Sequence, residues 1–586
     1  MSPERVVCGD GSSRFVKRRK LSTSTSKAVE DLSTPPEKMS LSAGSSESPE
    51  PIIQLTEVEE KLRQLLLDVS KYIQEKHSEE QNEGERIPVP PLVGETVLRF
   101  TGGWVRDRLL GIASHDIDVG ISNMTGLQFG LQMEEYLSAP GVLDRYQSGA
   151  EAEGLGGLHK VAANPEKSKH LETVKTRIFN LDIDLVNLRK ETYSEESRNP
   201  QMEFGTAEED ALRRDATINA LFYNLNTSSL EDFTGRGMED LALNIIRTPL
   251  EPFQTFKDDP LRVLRLIRFA SRFGYEIEGE SERYMSNMTI RETLRVKISR
   301  ERVGIEIEKM LRGNNPLAAL SLIRRLNLYF TVFSSPEDTN YSETELGSWM
   351  PICDLFHAVV STNESSQDGE VLSTIRRLAV RTDEEEYNCW ILAALLPWAD
   401  APNPPSKPGK KLAPPKIVLV AREGLKAPNK VTNVLASAVE HANEVIALKE
   451  NILKQKEDSP QPISRDQLGM SLRRWGPNWR YCIISGLLLE VQRSRRNDID
   501  LDAHVRAYAS LLLLVERFDL LEVTSLKPIV DGKKLTAALD RQPGSWVKET
   551  LEVIIAWQLR NPGSTDEKEA VEAARYHLAS AESTLE

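Results

Sequence analysis

Two aspartates separated by one residue, Asp116 and Asp118, are the first candidate catalytic or metal-binding residues in this sequence. They open the apolar and β-branched run Asp116–Ile121, which predicts a β-strand. Alternate residues of a strand face the same side, so both carboxylates project together. Two carboxylates this close repel one another unless a cation lies between them, and their hard oxygen ligands suit Mg²⁺. Taken alone, such a pair is more often a solvated strand face, so it predicts a metal site only in company with other motifs.

A glycine pair lies just upstream of these aspartates. Gly102 and Gly103 follow a predicted strand and precede a predicted helix. Glycines at the start of a helix allow backbone N–H groups to approach a phosphate closely. Arg106 and Asp107 lie in the first turn of that helix, where we expect them to anchor the turn and the sugar or phosphate of a nucleotide. The order strand, glycine turn, helix and acidic strand is more specific than either motif alone.

A second acidic strand is predicted further along the chain. In the run from Leu181 to Arg189 acidic and apolar residues alternate, which places Asp182 and Asp184 on one polar face. These carboxylates are candidates to complete the site formed by the first acidic strand. A structural salt bridge is an equally good interpretation.

Two arginine–aspartate motifs follow. The first contains Arg214, Asp215 and Asn219, and the second is an Asp-Asp-Pro-Leu-Arg segment that includes Asp259 and Arg262. Each motif alone is typical of a helix N-cap with an ion pair, with Asp259 as the N-cap of a helix that begins at the following proline. Aspartate and arginine also present fixed acceptors and donors, which can match the hydrogen-bonding edge of a base.

The ordered set of motifs resembles the polymerase-β-like nucleotidyltransferase superfamily, and its Arg106-Asp107 pair is similar to that of the class II tRNA nucleotidyltransferases, the CCA-adding enzymes, of eukaryotic type. The resemblance covers a little over one third of the chain. It implies an α/β plus all-α architecture, with a polymerase-β-like head of mixed sheet and helices followed by a helical neck, body and tail. It also implies that Asp116, Asp118 and Asp184 are catalytic and that the first two hold two Mg²⁺ ions.

The resemblance further implies a nucleotide site. Asp215 would recognise the ribose 2′-hydroxyl, and Arg214 and Asn219 would hold the turn and the triphosphate. Asp259 and Arg262 would pair with the incoming CTP or ATP as a protein template. The expected nucleotide-binding set is Gly102, Gly103, Arg106, Asp107, Arg214, Asp215, Asn219, Asp259, Arg262 and Arg265. The polar segment 190–204 matches the place of a flexible loop that helps to switch selectivity from CTP to ATP in the family.

The implied function is template-independent addition of C, C and A to the 3′ end of tRNA from CTP and ATP, by in-line displacement with two Mg²⁺ ions. The expected partners are tRNA and nucleoside triphosphates, with no membrane, and the expected oligomeric state is a monomer. A related poly(A) polymerase or an enzyme that adds only CC or only A is the first alternative. A catalytically inactive RNA-binding scaffold is the second, and the intact pair of Asp116 and Asp118 argues against it.

The elements that position these residues fall into five predicted segments. They are a disordered extension (1–55), a nucleotidyltransferase head (56–241), a nucleotide-selecting neck (242–330), a helical body (331–500) and a helical tail that binds tRNA (501–586). The extension is rich in serine and threonine and has little to bury. Thr56 and Glu59 predict a capping box at the first helix. Further strands are predicted at 97–100, 178–188 and 218–223, and the chain is almost wholly helical from Asp258 onward.

Composition excludes several classes of protein. The 586 residues include 74 lysines and arginines and 89 aspartates and glutamates, a formal net charge of −15. This balance argues against coating nucleic acid by bulk charge, although a local basic surface is compatible with it. The four cysteines form no CxxC pair, and the sequence contains neither GxxxxGK[ST] nor HExxH, which argues against a Cys-based zinc site, a P-loop enzyme and a His-ligated metallohydrolase. No apolar run approaches the roughly 18 residues of a membrane span.

The N-terminal segment bears on location. Lys17-Arg18-Arg19-Lys20 is a short basic cluster, which fits a nuclear import signal or a solvated tail equally well. A mitochondrial presequence is a further interpretation, against which the acidic Glu4 and Asp10 count. We expect a nuclear and cytoplasmic location, with the mitochondrion as an additional compartment.

Overall fold

The computed structural model describes most of the chain that follows the N-terminal segment. It describes residues 53–83, 94–146, 159–160, 174–194, 197–335, 346, 349–362, 367–403, 413–458, 463–494 and 500–583. The predicted basic cluster and nearly all of the predicted extension lie outside the described residues.

Most strands belong to one mixed sheet. The strands are β1 (Leu98–Thr101), β2 (Asp116–Ile121), β3 (His159–Lys160), β4 (Val174–Ile178), β5 (Leu181–Asn187), β6 (Arg189–Ser194), β7 (Ser197–Phe204), β8 (Leu221–Asn224), β9 (Ser229–Asp232), β10 (Ile245–Ile246) and β11 (Glu276–Ile277). Seven of them form the order β3-β4-β5-β2-β1-β8-β9, in which β2 and β5 run parallel and the other neighbours antiparallel. The strands β6 and β7 pair separately, as do β10 and β11. The predicted mixed-sheet head is confirmed.

Five helices accompany the sheet. They are α1 (Glu57–Glu83), α2 (Gly103–Leu109), α3 (Gly126–Ser138), α4 (Ala207–Leu212) and α5 (Gly237–Leu243). The predicted capping box begins α1, since Glu59 N donates to Thr56 Oγ1 and Thr56 N donates back to Glu59 Oε2. An apolar stripe of α1 shares one core with β1 and α2, because Leu62, Leu66 and Val69 are fully buried in the cluster that holds Trp104.

The rest of the described chain is helical, as predicted. The helices are α6 (Pro252–Asp258), α7 (Leu261–Phe273), α8 (Gly279–Met285), α9 (Met288–Lys297), α10 (Arg300–Leu311), α11 (Pro316–Arg325), α12 (Tyr329–Val332), α13 (Trp349–Val360), α14 (Gln367–Ala379), α15 (Asp383–Leu395), α16 (Lys416–Leu419), α17 (Asn429–Asp458), α18 (Arg465–Trp475), α19 (Trp479–Arg493), α20 (Leu501–Arg517), α21 (Gly532–Leu539), α22 (Trp546–Arg560) and α23 (Glu567–Ser583). No helix among the described residues is both long and apolar enough to cross a bilayer.

Two predicted strands differ in the structure. The segment 178–188 is not one strand but the end of β4 and the whole of β5, joined by Phe179 and Asn180 at φ 51° and 63°. Two consecutive residues with positive φ form the tight hairpin turn that matches the twist of antiparallel strands. The segment 218–223 begins instead with a 3₁₀ turn, Thr217–Asn219, and only then enters β8.

The segment 190–204, expected to be a flexible loop, falls within the hairpin of β6 and β7. Among its described side chains, Glu191 pairs with two arginines. Arg189 Nε lies 3.0 Å from Glu191 Oε1, and Arg213 Nη1 lies 2.9 Å from the same oxygen. These ion pairs stabilise the start of β6.

The helix that follows the second arginine–aspartate motif begins one residue later than predicted. Pro260 is the N-cap of α7, and Asp259 ends the preceding helix α6. The Asp259 carboxylate nevertheless accepts a hydrogen bond from Leu261 N at 3.2 Å, so it still stabilises the start of α7. From Leu261 to Phe273 the chain is helical, as the prediction for the region after Asp258 has it.

Candidate active site

The three candidate catalytic aspartates share one region of the sheet. Parallel pairing of β2 with β5 sets Asp116 beside Asp182 and Asp118 beside Asp184. On its other side Asp118 faces Thr101 in β1. Because register places paired residues on the same face of a sheet, the carboxylates of both strands project together.

The Asp118 carboxylate lies in a crowded electrostatic environment. Burial raises its pKa to about 6; the nearby Asp184 and Asp116 charges contribute to the rise, whereas Arg214 opposes it. A bound cation would reduce the repulsion between these carboxylates, so the cluster favours cation binding.

The oxygen donors of this cluster fit Mg²⁺. Among the residues that the structure describes, no three His, Cys, Asp or Glu side chains converge on one point as a complete ligand cage. Mg²⁺ is usually held by one or two carboxylates together with water and substrate phosphates, so an all-protein cage is not required. Asp116, Asp118 and Asp184 are therefore adequate ligands for a metal that arrives with a nucleotide.

Gly102 forms the turn between β1 and α2 and tolerates no side chain. Its backbone has φ 73° and ψ −126°, a conformation that L side chains rarely adopt. A Cβ atom here would lie 2.7 Å from Arg214 Nη1 and 3.8 Å from Asp118 Oδ2. The glycine thus allows a cleft arginine and the acidic strand to approach the same turn.

Arg106 and Asp107 in α2 are buried and paired. Arg106 Nη2 lies 2.6 Å from Asp107 Oδ1, and the guanidinium also donates to Asn219 Oδ1. The aromatic ring of Phe273 lies 4.6 Å from the guanidinium carbon. Asp107 Oδ2 in turn lies 3.5 Å from Arg272. This network joins the start of α2 to α7 and fixes the orientation of Asn219.

Asp210 is a buried carboxylate, 1% exposed, that the sequence did not single out. It accepts hydrogen bonds from Arg213 Nε at 2.9 Å and from Arg214 Nη2 at 2.9 Å. Burial would raise the pKa of Asp210, but the two guanidinium groups lower it below its ordinary value. Arg214 also donates to the Thr101 hydroxyl and, at 3.0 Å, to the Asn219 carbonyl. Asp210 therefore holds both arginines against the sheet.

Asp215 is a fully charged carboxylate at neutral pH. Asn219 Nδ2 donates to its Oδ1 at 3.0 Å, and Arg265 Nε donates to its Oδ2. Burial alone would raise the pKa, but Arg265 and Asn219 outweigh it and lower the pKa of Asp215 to about 2.

Helix α7 presents a row of arginines to the same region. Arg262, Arg265, Arg268 and Arg272 follow at intervals of three and four residues, which places them along one side of the helix. Arg262 Nη2 donates to the Arg213 carbonyl at 2.6 Å. Asp259 Oδ2, at the start of the helix, lies 3.4 Å from Arg302 in α10.

These side chains line one cleft of about 810 Å³ between the sheet and α7. Ten predicted residues line it: Gly102, Gly103, Arg106, Asp118, Arg214, Asp215, Asn219, Asp259, Arg262 and Arg265. The lining does not include Asp107, which lies behind Arg106, or Asp116 and Asp184, which flank Asp118 in the acidic cluster.

The sequence reasoning missed other lining residues. They are Arg189, Glu191, Met202, Arg213, Arg268, Arg272, Arg302 and Glu301, among others. The spacing of the α7 arginines was a usable signal for two of them. Across the described lining, nine arginines face five carboxylates, so the cleft favours an anion such as a triphosphate.

Two tryptophans that lie beside arginines in the sequence are core residues. Trp475 and Trp479 are 2% and 0% exposed and belong to the main apolar core. Stacking of these rings on a nucleotide is therefore excluded in this conformation.

The fold and the cleft define a nucleotidyltransferase. A family model described as the poly A polymerase head domain matches residues 98–247, which contain both acidic strands and the first arginine–aspartate motif. The chain is 39% identical to nucleotidyltransferase lcsQ of Purpureocillium lilacinum, over 96% of this chain and 97% of that protein. Its fold resembles that of a solved CCA-adding enzyme in its apo form, with a TM-score of 0.56 at 21% identity, covering 89% of this chain and 96% of the other.

A third comparison gives the family. The chain is 37% identical to the mitochondrial CCA tRNA nucleotidyltransferase of Saccharomyces cerevisiae, over 88% of this chain and 93% of the yeast enzyme. The chain belongs to the CCA tRNA nucleotidyltransferase family.

Proposed function

We propose that this enzyme adds C, C and A to the 3′ end of tRNA, with CTP and ATP as donors and no nucleic-acid template. The observation that carries the proposal is the identity to the yeast CCA tRNA nucleotidyltransferase along nearly the whole length of both chains. The cleft supports the proposal in three ways. Its arginines can bind a triphosphate, the paired strands β2 and β5 carry the acidic cluster, and the charged Asp215 can accept a hydrogen bond from a ribose.

The arginines of the cleft bind the triphosphate. Arg214 lies beside Asp118 at the glycine turn, where Asp210 fixes its guanidinium. A guanidinium held in place loses little entropy when it binds a phosphate oxygen, and it can bind in a bidentate manner. Arg214 therefore orients the reactive end of the nucleotide toward the acidic strand.

Asp215 recognises the ribose. Each of its oxygens already accepts one hydrogen bond from the protein, and an ionised carboxylate has about four acceptor positions. A remaining position accepts the 2′-hydroxyl. Because Asp215 stays charged at neutral pH, it accepts this hydrogen bond without first losing a proton.

Asp259 and Arg262 select the base. The bond from Arg262 to the Arg213 carbonyl fixes the plane of the guanidinium, and the bond from Leu261 N fixes the Asp259 carboxylate. A fixed acceptor beside fixed donors matches the edge of cytosine or adenine in the way that a template base would. Arg302 also approaches Asp259, so α10 helps to orient the template.

Asp116, Asp118 and Asp184 would hold two Mg²⁺ ions. Ions held there would supply activation of the terminal 3′-hydroxyl of the tRNA and stabilisation of the pyrophosphate leaving group. The protein positions the reacting groups: β2 and β5 hold the carboxylates in register, and Gly102 leaves space beside them.

We also propose that the head (56–241) catalyses nucleotide addition, that the neck (242–330) selects the nucleotide, and that the tail (501–586), beyond the helical body (331–500), binds tRNA. The enzyme acts as a monomer, which light scattering of the purified protein tests.

It works in mitochondria, as the yeast relatives' names indicate for those proteins, and also in the nucleus and cytoplasm. Fluorescent fusions with and without residues 1–50 test the location.

Sequencing of reaction products tests the function. A tRNA that lacks its 3′ CCA is incubated with CTP alone, with ATP alone and with both. We expect addition of two C residues, no efficient addition, and addition of CCA, respectively. Tracts of A would support a poly(A) polymerase, and products that stop at CC or require a CC end would support a partial enzyme.

A further inference from the structure

A lysine lies against the acidic cluster on the strand next to β5. Antiparallel pairing of β4 with β5 sets Lys175 beside Asp184, and Lys175 Nζ lies 2.5 Å from Asp184 Oδ2. The same ammonium interacts electrostatically with Asp116 and Asp118. Lys175 therefore contacts one carboxylate of the cluster and lies near enough to the other two to interact with their charges.

The position of Lys175 follows from the alternation of β4. Val174, Thr176 and Ile178 are buried, whereas Lys175 and Arg177 project from the opposite, polar face. Arg177 approaches Asp182 at 3.8 Å, but both side chains are largely exposed, at 62% and 69%. By contrast, the Asp184 side chain beside Lys175 is 16% exposed. The two basic residues therefore share a strand and a face but not an environment.

The Lys175 ammonium and a divalent ion compete for the same oxygen. A side chain that occupies Asp184 Oδ2 leaves fewer carboxylate oxygens for a metal, and its positive charge repels one. The Lys175 side chain is 56% exposed and ends a flexible stem, so it can leave the carboxylate for water at little cost.

We propose that Lys175 is a built-in counter-cation of the acidic cluster, which balances the three carboxylates in the metal-free enzyme and yields Asp184 when a divalent ion binds. This role rests on the proposed metal site at Asp116, Asp118 and Asp184. The lysine is a positioning residue: it keeps the carboxylates together before the nucleotide arrives, and it weakens divalent-ion binding until substrate phosphates add their own oxygens.

The proposal is tested by measuring how tightly the full chain binds Mn²⁺ in the absence of nucleotide and tRNA. The electron paramagnetic resonance signal reports the concentration of the free ion. We expect Lys175→Gln to bind Mn²⁺ about tenfold more tightly than the wild type, since one positive charge near the ion is removed. We also expect the metal-free variant to melt at a lower temperature and to gain more from added Mn²⁺. Arg177→Gln is the matched control and should change neither quantity.

The other outcomes separate the lysine from the metal site. Unchanged or weaker Mn²⁺ binding by Lys175→Gln, with binding that Asp116→Asn abolishes, would overturn the role of Lys175 and leave the proposed function intact. Equal Mn²⁺ binding by the wild type and Asp116→Asn would overturn the metal site and the lysine's role together. Lys175→Met is a second neutral variant if the glutamine variant does not fold. Lys175→Arg keeps the charge and should bind Mn²⁺ as the wild type does.

Discussion

Asp210 gives the sharpest prediction, because it reaches the cleft only through the arginines it holds. The change Asp210→Asn keeps the shape of the side chain but removes its charge. Loss of one partner from a buried ion pair costs about 3–5 kcal/mol. The Arg213 and Arg214 side chains remain 19% and 17% exposed, so water recovers part of this and we expect a loss of about 2–3 kcal/mol in the free energy of unfolding.

The same change should act on catalysis through Arg214. This arginine keeps its bonds to Thr101 and Asn219, so it stays near the cleft but loses its fixed orientation. If about 2 kcal/mol of transition-state stabilisation is lost, kcat/KM for CTP falls about thirtyfold. Initial rates of CMP incorporation into a tRNA without CCA measure it, with urea unfolding for the stability.

Glu209→Gln is the matched control for Asp210→Asn. The side chain of Glu209, the neighbour of Asp210, is 37% exposed, and glutamine preserves the capping box that it forms with Thr206. The control should retain wild-type rates and stability. A well-folded Asp210→Asn with wild-type kcat/KM would refute the argument that this carboxylate positions Arg214.

Three further predictions concern the cleft. Gly102→Ala strains the turn by about 1–3 kcal/mol and pushes against Arg214, so kcat/KM should fall at least about tenfold while the circular dichroism spectrum is retained; unchanged rates would contradict this. Arg262→Ala should scramble or abolish the choice between C and A with little change in tRNA affinity by filter binding, and an unchanged preference would refute the template role. The lowered pKa of Asp215 stabilises the fold above about pH 4, a contribution lost as the pH falls toward 2. Asp215→Asn should therefore lower the free energy of unfolding by roughly 2 kcal/mol at pH 7, with a smaller deficit in urea titrations below pH 4, and a pH-independent deficit would contradict the assignment.

Local patterns were sufficient for the elements that carry the site. Strand β2 could be predicted to the residue and the start of helix α7 to within one residue, because an apolar alternation defines the strand and a buried stripe between arginines defines the helix. Asp116 followed from short sequence motifs, as did Asp118 and nine more of the 24 residues that line the cleft. The domain boundaries within the helical part stay predictions.

Long-range pairing was beyond local patterns. The register that sets Asp118 beside Asp184 depends on a parallel pairing between strands more than sixty residues apart. The role of Asp210 could not be predicted from its sequence spacing to Arg213 and Arg214, which is typical of an ordinary helical ion pair. The two arginines reach the cleft only because α4 packs beside the sheet. The pairing of β6 with β7 was missed because the sequence of 190–204 has no apolar alternation.

The central claim is that the acidic pair on β2 holds divalent ions beside a nucleoside triphosphate. The most direct test measures how fast Asp116→Ala incorporates labelled CMP into a tRNA that lacks CCA. The control is Glu134→Ala, a change at an exposed residue of the head. The account predicts a loss of roughly a thousandfold for Asp116→Ala and wild-type incorporation for the control, since metal stabilisation supplies several kcal/mol. Incorporation by a folded Asp116→Ala at a rate near that of the wild type would contradict it.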